Sequence, residues 1–252
     1  EPAEGWLACG VTGVGRLPEP VAIVEWLEAQ LCKTSELEGT TVLVTAGGTQ
    51  ENIDPVRYIG NRSSGKMGYA IAEQAVRMGA NVILVSAPTS LSVPSGVEFV
   101  PVDSALSMQE AVESRYKNVD VVVMAAAVSD FRVLHKAEQK IKKMESMTLE
   151  LVKNPDILQG LGSHKEHQIL VGFAAETEHV IKYGQDKVAR KNLDMLVAND
   201  VSKSNAGFNV DTNEGYFLYP DKEPKEMANM KKSELAQYIM KEVVELVANK
   251  HP

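Results

Sequence analysis

From residue 41 onward the chain alternates short, largely apolar runs with segments of helical period. The runs 41-46, 81-86, 97-102, 119-126, 168-174 and 194-199 are rich in Val, Ile and Leu, as strands covered on both faces must be. Between and after them, apolar positions recurring at three- and four-residue spacing predict helices near 67-79, 104-117, 155-162, 179-192 and 231-249. Gly79 is placed to stop the first helix and Ser104 to cap the second. This alternation predicts an α/β fold, a doubly wound, mostly parallel Rossmann-like sheet. Residues 203-230 break the rhythm and predict an antiparallel hairpin extension, either a sheet edge or a dimer contact.

The first forty residues read differently. Gly5 to Pro20 is glycine-rich, 21-32 predicts a short helix, and the polar stretch 33-40 reads as a linker. The opening at Glu1, without Met, adds to the expectation that 1-39 is the tail of something else.

With 252 residues and a formal charge of −8, the chain has the length for a sizeable core and an acidic surface unsuited to nonspecific nucleic-acid binding. No apolar run approaches the roughly 18 residues of a membrane span. Two cysteines, Cys9 and Cys32, are too few for a disulfide framework, so a cytoplasmic location is expected.

The residues after the first strand carry the strongest chemical signal. Gly47 and Gly48 permit a sharp turn, and Ser63, Ser64 and Gly65 stand where the next helix begins. Backbone N–H groups and the helix dipole would then face one space suited to phosphate. Two familiar motifs fail here. Gly60 to Met67 satisfies G-x-x-x-x-G-K but offers Met67 in place of the magnesium-binding hydroxyl, and it lies well beyond its strand. A dinucleotide fingerprint is missing its tight glycine triplet, and 81-86 is followed by Ala87-Pro88 in place of an acid.

Polar residues gather at four predicted strand ends: 46-49, 127-130, 173-177 and 199-200. In open α/β sheets such ends border the ligand crevice. Lys140, Lys142 and Lys143 form one basic group, Lys153 precedes Asn154-Pro155-Asp156, and Lys187 and Lys191 share a helix face. They suit neutralisation of a triphosphate, or they are solvated surface charges. Asp130 has room for a base or ribose beside the small residues Ala125, Ala126 and Ala127, but serves equally as a cap. Asn61 is a turn residue or a side-chain amide that holds an acyl or phosphoryl oxygen. The five histidines have no metal-ligand spacing, and the metal ligands stay unassigned. Neither a G-x-S-x-G elbow nor a Ser-His-Asp order is present, which leaves catalysis by positioning and charge neutralisation.

Seven ordered segments resemble phosphopantothenoylcysteine synthetase: 46-49 with 54-59, 61-68, 125-130, 140-143, 153-157, 172-177 and 190-194. The likeness spans residues 40 to 249, so 40-252 is expected to be a phosphopantothenate–cysteine ligase domain. Residues 7-17 resemble the end of the flavin-dependent decarboxylase that bacteria fuse upstream; most of that fold is absent, so no flavin is expected on this fragment. The resemblance implies a ligase of coenzyme A synthesis joining 4′-phosphopantothenate to L-cysteine. CTP would be converted to CMP and pyrophosphate through an acyl cytidylate, with Mg2+ on the nucleotide. CTP, rather than ATP, follows from the fused family type. Lys140 would stabilise charge in the first step, and Asn61 would hold the intermediate. Nucleotide contacts are implied at Ala125, Ala126, Ala127, Asp130, Lys140, Asn154, Pro155, Asp156, Ile157, Phe173, Lys187 and Lys191. The loop with Gly47, Gly48, Asn61, Ser63, Ser64 and Gly65 would serve the substrate phosphate and intermediate. The family type also implies a homodimer, with residues 203-230 expected to form the dimer contact. Two other readings stand beside it: a nucleotide-dependent oxidoreductase, for which Tyr183 and Lys187 have the spacing but no cofactor loop, and a non-catalytic nucleotide-binding module.

Overall fold

A strand buried on both faces needs apolar side chains in both directions, and Thr41–Ala46 supplies them: Val42, Val44 and Ala46 join one core cluster while Leu43 joins the other. The computed structural model describes residues 3–6, 8–20, 23–24, 27, 33–176, 178–200 and 212–250. Ala3–Trp6 (β1) and Thr12–Arg16 (β2) pair as a separate antiparallel hairpin. The predicted helix 21-32 lies almost wholly outside the described residues.

The main body begins with Thr41–Ala46 (β3), passes a small hairpin of Gln50–Asn52 (β4) and Tyr58–Gly60 (β5), and enters helix Lys66–Arg77 (α1). Asn81–Ser86 (β6), Val97–Pro101 (β7), Ala105–Glu113 (α2), a short 3-10 turn and Val121–Met124 (β8) follow. A second small hairpin, Phe131–Val133 (β9) with Leu151–Lys153 (β10), precedes Ile157–Ser163 (α3), Ile169–Glu176 (β11), Val180–Arg190 (α4) and Met195–Asp200 (β12). Thr212–Leu218 (β13), Lys225–Lys231 (β14) and Lys232–Lys250 (α5) end it.

Eight strands form one sheet in the order β14-β13-β12-β11-β8-β3-β6-β7. The six from β12 to β7 are parallel, and β13 and β14 add an antiparallel edge. The described part of 203-230 forms the predicted antiparallel sheet edge; residues 203-211 lie outside the described residues. Helices α1 and α5 cover one face through Ile71, Ala72, Leu235, Ile239 and Val243, and α2, α3 and α4 cover the other through Met108, Val112, Leu161 and Val188. Leu43 is wholly buried, so Leu43→Ala would cost about 2–5 kcal/mol. Among the described residues, no helix is long and apolar enough to cross a membrane.

The predicted stop and cap are both present. Gly79 has φ 87°, and Ser104 accepts from the Ser107 N–H while the Ser107 hydroxyl accepts from the Ser104 N–H. The predicted strand 119-126 shortens to β8 because Ala125 onward leaves the sheet to pair with the loop after β3.

Candidate functional site

Two loops at the carboxyl ends of neighbouring parallel strands are fastened side by side. Ala127 N–H donates to Gly47 O at 2.8 Å, Thr49 N–H donates to Ala127 O at 3.2 Å, and Gly48 and Ala127 form a parallel bridge. Side-chain hydroxyls extend the join: Thr45 accepts from the Ala126 N–H at 3.1 Å, and Thr49 from the Ser129 N–H at 2.9 Å. The side chain of Asn61 donates to the same Ala127 carbonyl at 3.2 Å. Sequence positions 45–49, 61 and 125–129 thus become one structural unit.

Beside it opens a cavity of about 320 Å³, bounded by the N-terminal turn of α1 and the ends of β8, β11 and β12. Asn61, Ser63, Ser64 and Gly65 line it on the α1 side. Gly65 caps α1 with φ 77°, a conformation that aims the first helical N–H groups at the opening. Ala125, Ala126, Ala127 and Asp130 line the adjoining wall, and Phe173 and Lys187 the next. Small side chains keep the backbone accessible, and the helix terminus favours negative charge. Gly47 and Gly48 shape this wall from behind; a side chain on Gly47 would meet the Ala87 carbonyl at 2.7 Å.

Other predicted residues lie outside the cavity lining. Asn154 is buried, donating to Ser129 O at 2.8 Å and accepting from Arg132 at 3.0 Å, so it braces the Asp130 loop. Asp156 caps α3 through the Gln159 N–H and pairs with Lys191 at 2.9 Å. Burial raises the Asp156 carboxyl, but Lys191 and the Gln159 N–H outweigh it and hold it below the usual carboxylate range. Ile157 is a core residue of α3, and Pro155 precedes its cap. Within the lining, Lys187 is paired with Glu176 at the end of β11. Tyr183 stacks edge-on against His179, leaving Lys187 with an acidic partner and no tyrosine.

Lys140 is exposed, on the long loop between β9 and β10. That loop is tethered at the next residue: Ile141 N–H donates to Asp54 at 3.1 Å, and Arg57 donates to Ile141 O at 2.7 Å. Asp54 is fully buried. Burial raises its carboxyl, yet N–H donors from Val56, Ile141 and Arg57, with the Arg57 guanidinium, lower it on balance. The sequence reading did not select Asp54, Asn213 or Lys232; the last two also line the cavity, although both are buried. Nothing local marks them, since β14 must fold back before α5 brings Lys232 to the crevice. Among the described residues, no three His, Cys, Asp or Glu side chains gather as a metal set.

The sheet order and the crevice define a doubly wound α/β domain with a pocket suited to anionic groups. The chain belongs to the DNA/pantothenate metabolism flavoprotein C-terminal domain family, which it matches over residues 37–247. It is 49% identical over 250 residues to the coenzyme A biosynthesis bifunctional protein CoaBC of Bacillus subtilis, covering 98% of this chain and 62% of that protein. It is 43% identical over 248 residues to the CoaBC protein of Escherichia coli K12, covering 96% of this chain and 61% of the relative. The chain therefore spans a little over three-fifths of these relatives' length. The crystal structure of the C-terminal domain of a CoaBC protein superposes with TM-score 0.75 at 43% identity, covering 86% of this chain and all of that domain.

Proposed function

We propose that this domain is the phosphopantothenate–cysteine ligase part of a bifunctional coenzyme A biosynthesis protein. Its relatives carry that bifunctional name, and their additional length is consistent with an upstream decarboxylase whose tail would be residues 1-39. The observation that carries the reading is the joining of Asn61, the 125–127 backbone and the α1 N-terminus around one cavity. A phosphorylated acid and a nucleotide both need such a cradle, and aligning them is the main task of the protein.

In this reading the carboxylate of 4′-phosphopantothenate attacks the α-phosphate of CTP, and pyrophosphate leaves. The amine of L-cysteine then attacks the acyl carbonyl, CMP leaves, and an amide remains. Backbone N–H groups around Gly65, with Lys187, meet phosphoryl charge, while Asp130 accepts from hydroxyl or amine donors. Asn61, already fixed to the Ala127 carbonyl, orients the intermediate. Lys140 supplies charge during activation from its tethered loop. Magnesium fits as an ion carried on the nucleotide phosphates, since Asp130 is the one acid in the described lining.

A homodimer is part of the proposal. The exposed apolar side chains Val56, Tyr58, Phe131 and Leu151 lie on or between the strands of the two small hairpins and suit a second copy.

The deciding experiment follows pyrophosphate release from CTP with magnesium and 4′-phosphopantothenate, with and without L-cysteine, and repeats it with ATP. Sustained release with CMP formation only when cysteine is present is the expected result. Nucleotide binding without turnover would favour a binding module.

A further inference from the structure

Part of the cavity lining comes from residues that the sequence motifs do not account for. Lys232, the first residue of α5, and Asn213, near the start of β13, both line it, at 7% and 3% exposure. A lysine ammonium is costly to remove from water, and its location beside a cavity provides a reason for that cost: an anionic group can enter and share the site. Its position opposes the local field as well, because the N-terminus of a helix already carries partial positive charge. Placing a cation there disfavours folding slightly and favours a bound anion.

Charge around the rest of the lining agrees. Lys66, Lys187 and Lys232 are its cations and Asp130 its acid, so the described lining is net positive in an acidic protein. Lys187 pairs with Glu176, and Lys191 and Lys140 lie outside the lining. Asn199, at the end of β12 beside them, has a buried side-chain oxygen without a hydrogen-bond partner among the described residues, available to a hydroxyl or N–H of a ligand.

We infer that Lys232, together with Asn213, holds a phosphoryl oxygen of a substrate bound in the cavity. The inference rests on the ligase reading for its substrates. The group is a phosphate monoester or part of a polyphosphate, and the two sources are separable by kinetics.

The test compares the unaltered protein with Lys232→Met, Lys232→Arg and Asn213→Ala. KM is measured separately for CTP, 4′-phosphopantothenate and L-cysteine, with calorimetric binding of inorganic pyrophosphate and of inorganic phosphate in parallel. Lys232→Met is expected to raise KM for one phosphorylated substrate about tenfold or more, leaving L-cysteine unchanged, and to weaken the matching inorganic anion similarly. Which substrate responds identifies the source. Lys232→Arg should recover most of the loss, and Asn213→Ala should shift the same KM by a smaller factor. Unchanged KM values and anion binding in folded Lys232→Met would overturn the inference. If Lys232→Met does not fold, unchanged KM values and unchanged anion binding in folded Asn213→Ala would overturn it. If the unaltered protein shows no turnover, the ligase reading fails, and anion binding alone decides the role of Lys232.

Discussion

The buried carboxylate of Asp54 accepts the backbone N–H of Ile141 at 3.1 Å, across 87 positions of sequence. The contact holds the residue next to Lys140, whose own side chain is exposed. Asp54→Ala is expected to lower kcat for pyrophosphate release about tenfold, because a charged group loses its orientation while the sheet remains intact. Unchanged kcat in the folded variant would separate the tether from catalysis.

Lys140→Gln should block formation of the acyl cytidylate, whereas Asn61→Asp should let it accumulate. The second substitution replaces the amide that donates to Ala127 O at 3.2 Å with an acceptor facing an acceptor. Rapid-quench analysis with labelled CTP reads both. Normal build-up of intermediate in Lys140→Gln would remove its assigned role.

Gly65→Ala tests the cradle itself. Its φ of 77° costs a residue with a side chain about 1–2 kcal/mol, and the added Cβ would lie 2.6 Å from Thr89 Cγ2. Thr89 cannot readily turn aside, since its hydroxyl bonds Tyr69 and the Leu91 N–H. Denaturant unfolding should register the loss, and KM for a phosphorylated substrate should rise several-fold.

Farther along α5, Glu242 accepts from Tyr219 and pairs with Lys225. Burial raises its carboxyl, but the hydrogen bonds from Lys225 and Tyr219 lower it further, so it ends below the usual range. Its contribution is therefore present above the unfolded-state pKa and lost as pH falls through the folded-state value. Glu242→Ala should cost about 1–3 kcal/mol at pH 7, since it leaves Tyr219 unpaired. Urea unfolding at neutral and acidic pH should show the difference from the unaltered protein shrinking below about pH 4.

Light scattering addresses assembly. Val56→Asp combined with Phe131→Asp is expected to convert a dimer to a monomer by placing charge on the small hairpins. A dimer that survives would direct attention to the open edge of β14.

The main sheet was legible because strands buried on both faces leave unbroken apolar runs, as at 41-46 and 81-86. The hairpins at 50–60 and 131–153 were not, since three-residue strands are too short to show a period and the second pair is separated by a long loop. Gly65, Ala127, Phe173 and Lys187 all line the cavity; local chemistry at strand and helix ends pointed to the first two, the lysine grouping to Lys187, and the resemblance to Phe173. The burial of Asn154 and its bonds to Ser129 and Arg132 are long-range features that local sequence does not reveal. Lys232 followed neither rule, because the last helix alone brings it to the crevice.

That late arrival bears on how the protein is made. Synthesis runs from the first residue to the last, and α5 packs on the same core as α1. A growing chain can form the β3 turn and the alanine-lined loop early, but Lys232 takes its place only when residues 232–250 have cleared the ribosome. The pocket is thus complete only once α5 has formed, and a nascent chain short of α5 offers its ligands only part of their eventual site.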